Sequence, residues 1–161
     1  MALRYVGRFA TTRAKLLSYL TRKIRERGWE GDDAPQPERL VSRFAELGYV
    51  DDAAYAAMKG RDLAARGYGP RRVGQALHAA GISDADSEEA KEAANKAAVT
   101  SALRFAQRRR FGPYASETIA DPRALQRAIA AFARAGHSYG LAKAILDMKP
   151  GADVDSEQLS L

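Results

Sequence analysis

The amino-acid sequence predicts an all-α protein made of small helical units in a row, and three observations point that way. No segment alternates apolar and polar residues as a half-buried strand would, whereas most stretches repeat apolar residues at three- and four-residue spacing. One register recurs along the chain: a small or hydroxyl residue, then apolar residues four and eight positions on, with Arg or Lys packed around them. The copies are Thr12 to Leu20, Gly69 to Leu77 and Ser138 to Leu146. Apolar residues reach 46%, largely through alanine, a composition that favours helices joined by thin contacts over one bulky core. Units of this size cannot bury an apolar face alone and lean on their neighbours, a shape suited to a long binding surface rather than a closed active site. The 161 residues accommodate three units of roughly 50 residues each.

The elements follow in order. Leu3, Val6 and Phe9 share a face of a first helix over residues 2–10. Thr11 or Thr12 caps the second, because a hydroxyl oxygen accepts from the free N–H groups of a first turn; its stripe is Leu16, Leu17, Leu20 and Ile24, and Gly28 ends it. Residues 31–37 are a linker whose prolines stop the preceding run. The third helix starts near Pro37, turns Leu40, Val41, Phe44 and Leu47 inward and stops at Gly48. An Asp at 51 or 52 caps the fourth, with Tyr55, Met58 and Leu63 as a broken stripe. Pro70 opens the fifth, closed by Gly81. Residues 83–97 are acidic and alanine-rich, a weakly amphipathic sixth helix. Val99, Leu103 and Phe105 belong to a seventh, broken at residues 111–114. Leu125, Ile129 and Phe132 stripe an eighth up to Gly136, and Ser138 opens the last. The tail over 150–161 has three acids, no base and no pattern, and is expected to be disordered.

Composition excludes several function classes. Without cysteine there are no disulfides, thiolate zinc sites or cysteine nucleophiles. His78 and His137 lie far apart in sequence and outside any HExxH spacing, so no metal and no cofactor are expected. No apolar run is long enough to span a bilayer. The Arg-rich opening up to Arg25 is free of acids like a transit peptide, but it contains the first copy of the register, so a cytoplasmic location is expected. The net charge of +6 suits a partner with an acidic surface, whether nucleic acid or an acidic protein groove.

Motifs for catalysis are weak. Residues 67–72, Gly-Tyr-Gly-Pro-Arg-Arg, place glycines before a helix start and two arginines, as an anion site would, but they lack the Gly-Lys-Ser/Thr of a P-loop; a helix stop followed by a helix start is the better reading. The acid pairs Asp51–Asp52 and Glu88–Glu89 are adjacent, so on a helix they diverge and cannot share a metal or flank a bond. No serine sits in a Gly-x-Ser-x-Gly elbow. Trp29, following a helix-ending glycine, reads as a staple on the core in preference to a platform for bases. An enzyme is therefore not expected. Basic residues are more informative: residues 1–31 hold eight Lys or Arg against two acids, and further clusters surround Arg71–Arg72 and residues 104–110. Any one of them reads as part of a solvated helix face, whereas for the set the recurrence in three units favours a basic stripe.

Residues 47–56, Leu-Gly-Tyr-Val-Asp-Asp-Ala-Ala-Tyr-Ala, with residues 66–77, Arg-Gly-Tyr-Gly-Pro-Arg-Arg-Val-Gly-Gln-Ala-Leu, and then Gly81–Ile82, resemble the most recognisable stretch of the RecX family, bacterial regulators of the RecA recombinase. Residues 12–16 and 132–139 fit that family's first and last units, so the resemblance covers roughly 3–148. It implies an elongated array of three tandem three-helix repeats, here 1–48, 49–97 and 98–149 ahead of the tail. It also implies binding within the groove of the RecA filament, restraint of RecA's ATPase, strand-exchange and co-protease activities, and binding of single- and double-stranded DNA, with a monomer expected and no membrane partner. The residues expected to meet acidic RecA surface or DNA phosphate are Arg13, Lys15, Arg22, Arg71, Arg72 and Lys143. The rival reading is an autonomous DNA-binding protein of stacked helix-turn-helix-like units. A phosphate-handling enzyme built on residues 67–72 is a distant third.

Overall fold

The computed structural model describes residues 1–157 and 159, and these contain nine α-helices, one short 3₁₀ turn and no strand. The helices are α1 (Ala2–Val6), α2 (Arg13–Arg27), α3 (Pro37–Glu46), α4 (Asp52–Ala65), α5 (Pro70–Ala79), α6 (Asp84–Lys96), α7 (Ala98–Arg109), α8 (Pro122–Arg134) and α9 (Tyr139–Leu146), with the 3₁₀ turn at Gly112–Tyr114. Their starts are built by side chains placed to accept first-turn N–H groups: Thr12, Asp51, Ser83, Asp121 and Ser138 each accept from a residue two or three positions on. Proline opens α3, α5 and α8, where its missing N–H costs nothing.

Three separate clusters of buried side chains hold the helices. Leu16 and Leu20 of α2 meet Val41 and Phe44 of α3, with Ala2 and Val50 completing the first. Ala56, Leu63, Val73, Leu77, Ala90 and Ala94 join α4, α5 and α6 in the second. Phe105, Phe132, Leu141 and Ile145 anchor the third among α7, α8 and α9, where Phe105 and Phe132 meet edge to face at 4.9 Å. Tyr68 packs against both the second and the third cluster.

Alanine sets the packing distance in the middle of the chain. The weakly amphipathic α6 buries Ser87, Ala90 and Ala94, and this small-residue face lies against α4, where Gly60 is buried. The fourth helix accordingly turns Ala56, Gly60 and Leu63 inward, and Met58, expected on its stripe, is 42% exposed. The first helix is shorter than its apolar spacing suggests: Gly7 ends it, and Leu3 and Phe9 are exposed.

Three further expectations change. Leu40 and Leu47, expected inward with Val41 and Phe44, are exposed. Trp29 is no staple on the core. The left-handed φ of 78° at Gly28 turns the chain outward, the indole is 55% exposed, and its Nε1–H donates to the Asp33 carbonyl at 2.5 Å. The segment after α9, expected to lack order, has Val154 packed against the third cluster and Leu159 buried in it, with Gly151 N–H donating to Pro113 O at 2.9 Å. Its few apolar residues find an open flank of a small core. The same expectation for Gln158, Ser160 and Leu161 lies outside the described residues.

Candidate functional site

Two junctions join the clusters, and both begin at the start of a helix bearing the recurrent register. At the first, Thr12 is fully buried: its Oγ1 accepts from Lys15 N–H at 3.2 Å and donates to the Ala80 carbonyl at the end of α5 at 2.7 Å. The Arg13 N–H donates to Asp52 Oδ1 at 2.9 Å, and the Lys15 ammonium donates to Tyr55 Oη at 2.7 Å while lying 4.8 Å over that ring. A helix-start donor, a buried carboxylate and a cation–π contact thus tie α2 to α4 and α5.

At the second junction the turn before α5 meets the turn after α8. Gly69 N–H donates to Ala135 O at 2.8 Å and Arg71 N–H to Gly136 O at 3.2 Å. A Cβ on Gly69 would stand 2.4 Å from the Gly136 oxygen, and one on Gly136, whose φ is +93°, 2.4 Å from Arg72 N. The two backbones touch, which only glycine permits on both sides. His137, 1% exposed, completes the contact: a carbonyl can only accept, so its Nε2–H donates to Gly67 O at 3.0 Å, leaving Nδ1 bare and without a partner among the described residues. Phe105 and Phe132 flank the ring, each 5.7 Å away. Burial pushes the His137 pKa down, and the bond to Gly67 opposes that only in part. Residues 67–72 therefore form no phosphate cradle, since the Gly69 and Arg71 N–H groups that would hold an anion donate to the α8–α9 turn and those of Arg72 and Val73 to the Gly69 carbonyl.

The feature with most chemical capacity lies on α1 and α2. Tyr19 and Arg22, three residues apart, share a face of α2, and the guanidinium lies 5.9 Å from the Tyr19 ring centre. Tyr5 stacks on Tyr19 at 4.1 Å and 13°, and Phe9 tilts against Tyr5 at 5.7 Å. Arg4, Arg8, Arg22 and Arg27 line the same groove of about 450 Å³, which no acidic residue lines. Among the described residues Arg4, Arg8 and Arg27 make no ion pair, whereas Arg22 lies 3.8 Å from Glu26. The Glu26 carboxyl is held below its usual range first by the hydrogen bond from Lys23, with which Arg22 shares it. Cationic walls over an aromatic floor can take phosphates and stacked bases together.

The residues singled out from sequence divide accordingly. Lys15 and Arg22 come together in a second groove of about 410 Å³ between α2 and the end of α5, with His78 on its far side, and Arg22 serves both grooves. Arg13 is exposed at the first junction. Arg71 and Arg72 are exposed at the second, with no ion pair among the described residues. Lys143 lines neither groove and is tied by a charged hydrogen bond to Asp147, which caps the end of its own helix. Sequence reasoning missed Arg4, Arg8 and Arg27 with Tyr5 and Tyr19; the available signal was arginine at four-residue spacing interleaved with aromatics. Among the described residues no group of His, Asp or Glu could hold a metal ion, and no helix is long and apolar enough to cross a membrane.

Residues 51–90, which span α4, α5 and the first half of α6, match the family model described as RecX, second three-helix domain. The chain is 31% identical over 156 residues to a protein of Myxococcus xanthus (strain DK1622) named regulatory protein RecX, covering 92% of this chain and 83% of that one. Proteins of the same name match in Pseudomonas putida, at 39% identity over 44% of this chain and 48% of the relative, and in Xanthomonas axonopodis pv. citri (strain 306), at 37% over 58% and 55%. The matched segment holds both the Asp52 carboxylate and the glycine-rich turn that join neighbouring clusters, and with the near full-length similarity it places the chain in the RecX family.

Proposed function

We propose that this chain regulates RecA by binding the RecA–DNA filament and restraining its ATPase, strand-exchange and co-protease activities. Family membership supports the general role. The observation that carries the finer reading is the groove of Arg4, Arg8, Arg22 and Arg27 over Tyr5 and Tyr19, a surface built to hold the phosphates and bases of the DNA that a filament coats. We read the three core clusters as three tandem three-helix repeats, with boundaries at 48, 97 and 149, strung along an elongated cytoplasmic monomer that reaches across filament subunits. Scattering from a monomer with a radius of gyration near the ~15 Å of a compact domain of this length would remove the elongated array. Single-strand-dependent RecA ATPase, measured with and without this protein, tests the function. Its rate falls on this reading; a rate unchanged with this protein in excess refutes it.

The same groove supports a second reading, an autonomous DNA-binding protein for which RecA is incidental. The two separate on one comparison: a filament regulator binds the RecA-coated strand more tightly than the bare strand, and an autonomous binder does not.

A further inference from the structure

The first core leaves an apolar groove open. Met1, Leu3, Trp29 and Leu40 are 58, 61, 55 and 39% exposed, and all four line one cavity of about 520 Å³ between α1, the end of α2, the 28–37 loop and α3. Large apolar side chains exposed singly need no account, but four on one concave surface mark a place for a partner. Trp29 is the only tryptophan, and with its N–H spent on Asp33 it offers hydrocarbon alone. The charged lining is wholly basic: Lys23, which pairs with Glu26, and Arg27, which has no ion pair among the described residues.

We propose that this groove receives a protein segment carrying apolar anchors flanked by carboxylates, and that the segment belongs to the RecA subunits of the filament. The inference rests on the RecA reading above. Apolar anchors fill the cavity while a carboxylate meets the planar fork of Arg27. A nucleic acid strand would press phosphates onto hydrocarbon with two cations to meet them. A second copy of the chain packed symmetrically would bring the same basic rim against itself. Met1 and Arg27 also line the arginine–aromatic groove, so protein and DNA contacts adjoin on one face, as binding to a RecA-coated strand requires.

The test combines RecA ATPase inhibition with the emission of 5-hydroxytryptophan incorporated at position 29, read selectively in the presence of RecA. Leu3→Glu and Leu40→Glu keep wild-type helical circular dichroism and wild-type binding to a single-stranded oligonucleotide, and their half-inhibitory concentrations rise at least about tenfold. Should either variant fail to fold, Trp29→Ala, in an exposed loop, carries the ATPase arm. The position-29 emission shifts to the blue with the RecA filament and not with the oligonucleotide alone. Wild-type inhibition with equal potency in the folded variants overturns the groove assignment and leaves the RecA reading standing; no inhibition by the wild type overturns both. A blue shift with the oligonucleotide alone, or with rising concentration of this protein alone, gives the groove to DNA or to a second copy and equally overturns the proposal.

Discussion

Reversing Arg4 and Arg8 together to Glu tests the arginine–aromatic groove through its salt dependence. Both are exposed and unpaired among the described residues, and neither supports a core cluster, so folding is expected to survive. The groove offers four guanidinium groups, of which Arg22 is shared with Glu26 at 3.8 Å. With the three unshared arginines each releasing the counterions of one phosphate, the groove contributes about 2 units to the slope of log affinity against log salt for a single strand, at ~0.7 per phosphate. Losing two of them flattens that slope by about 1.4 units. At about 1 kcal/mol per exposed ionic contact, affinity falls by ~2 kcal/mol, or about thirtyfold, at low salt. Anisotropy of a labelled oligonucleotide across a potassium chloride series measures both quantities. The charge-matched control is Arg39→Glu with Arg43→Glu on α3, where both arginines are exposed and line neither groove. An unchanged slope in the double variant, or an equal loss in the control, refutes the reasoning, because either outcome means that net charge and not this groove holds the strand.

Three other outcomes are expected. Arg71→Glu with Arg72→Glu leaves folding intact or improves it slightly, since both cations oppose the α5 dipole by up to ~1 kcal/mol each, while filament binding weakens; wild-type behaviour toward both DNA and filament would make these arginines plain solvated surface. Stability falls as pH drops below the usual histidine range. The neutral His137 of the fold resists a proton that the unfolded chain accepts, so the loss starts near the unfolded value and runs down toward the lower folded one, at up to ~1.4 kcal/mol per pH unit; His137→Gln should flatten that part of a denaturation-against-pH profile. Gly69→Ala lowers the melting temperature, because its Cβ meets the Gly136 carbonyl at 2.4 Å, whereas Gly74→Ala, inside α5 with open space around it, raises stability by about 0.5–1 kcal/mol; thermal melts of the pair that agree in sign would refute the junction geometry.

Local signals in the sequence located the helices well because each is set within a few residues: a hydroxyl or carboxylate two or three residues before its first-turn N–H, a proline at the start, a glycine after the last turn. Periodicity misled wherever burial depended on a neighbour. Met58 lies on an apolar stripe by spacing, yet α4 turns Ala56 and Gly60 inward because the alanine face of α6 admits a close approach there. Trp29 looked like a core residue by type, and the turn at Gly28 decided otherwise.

The candidate site divides along the same line. Charge and the recurrent register are properties of the amino-acid string, and they determined by themselves that this is a basic helical protein. Which cations lie together was decided only by tertiary structure, since a groove is made by residues from different helices. Arg4 and Arg8 join Arg22 and Arg27 because Tyr5 stacks on Tyr19 across α1 and α2, while Lys143, equally basic on paper, is neutralised by Asp147. The glycine-rich turn at 67–69 resembled an anion loop in one dimension. In three dimensions its donors face the carbonyls of Ala135 and Gly136, and a backbone hydrogen bond between residues some 66 positions apart leaves no trace in local sequence.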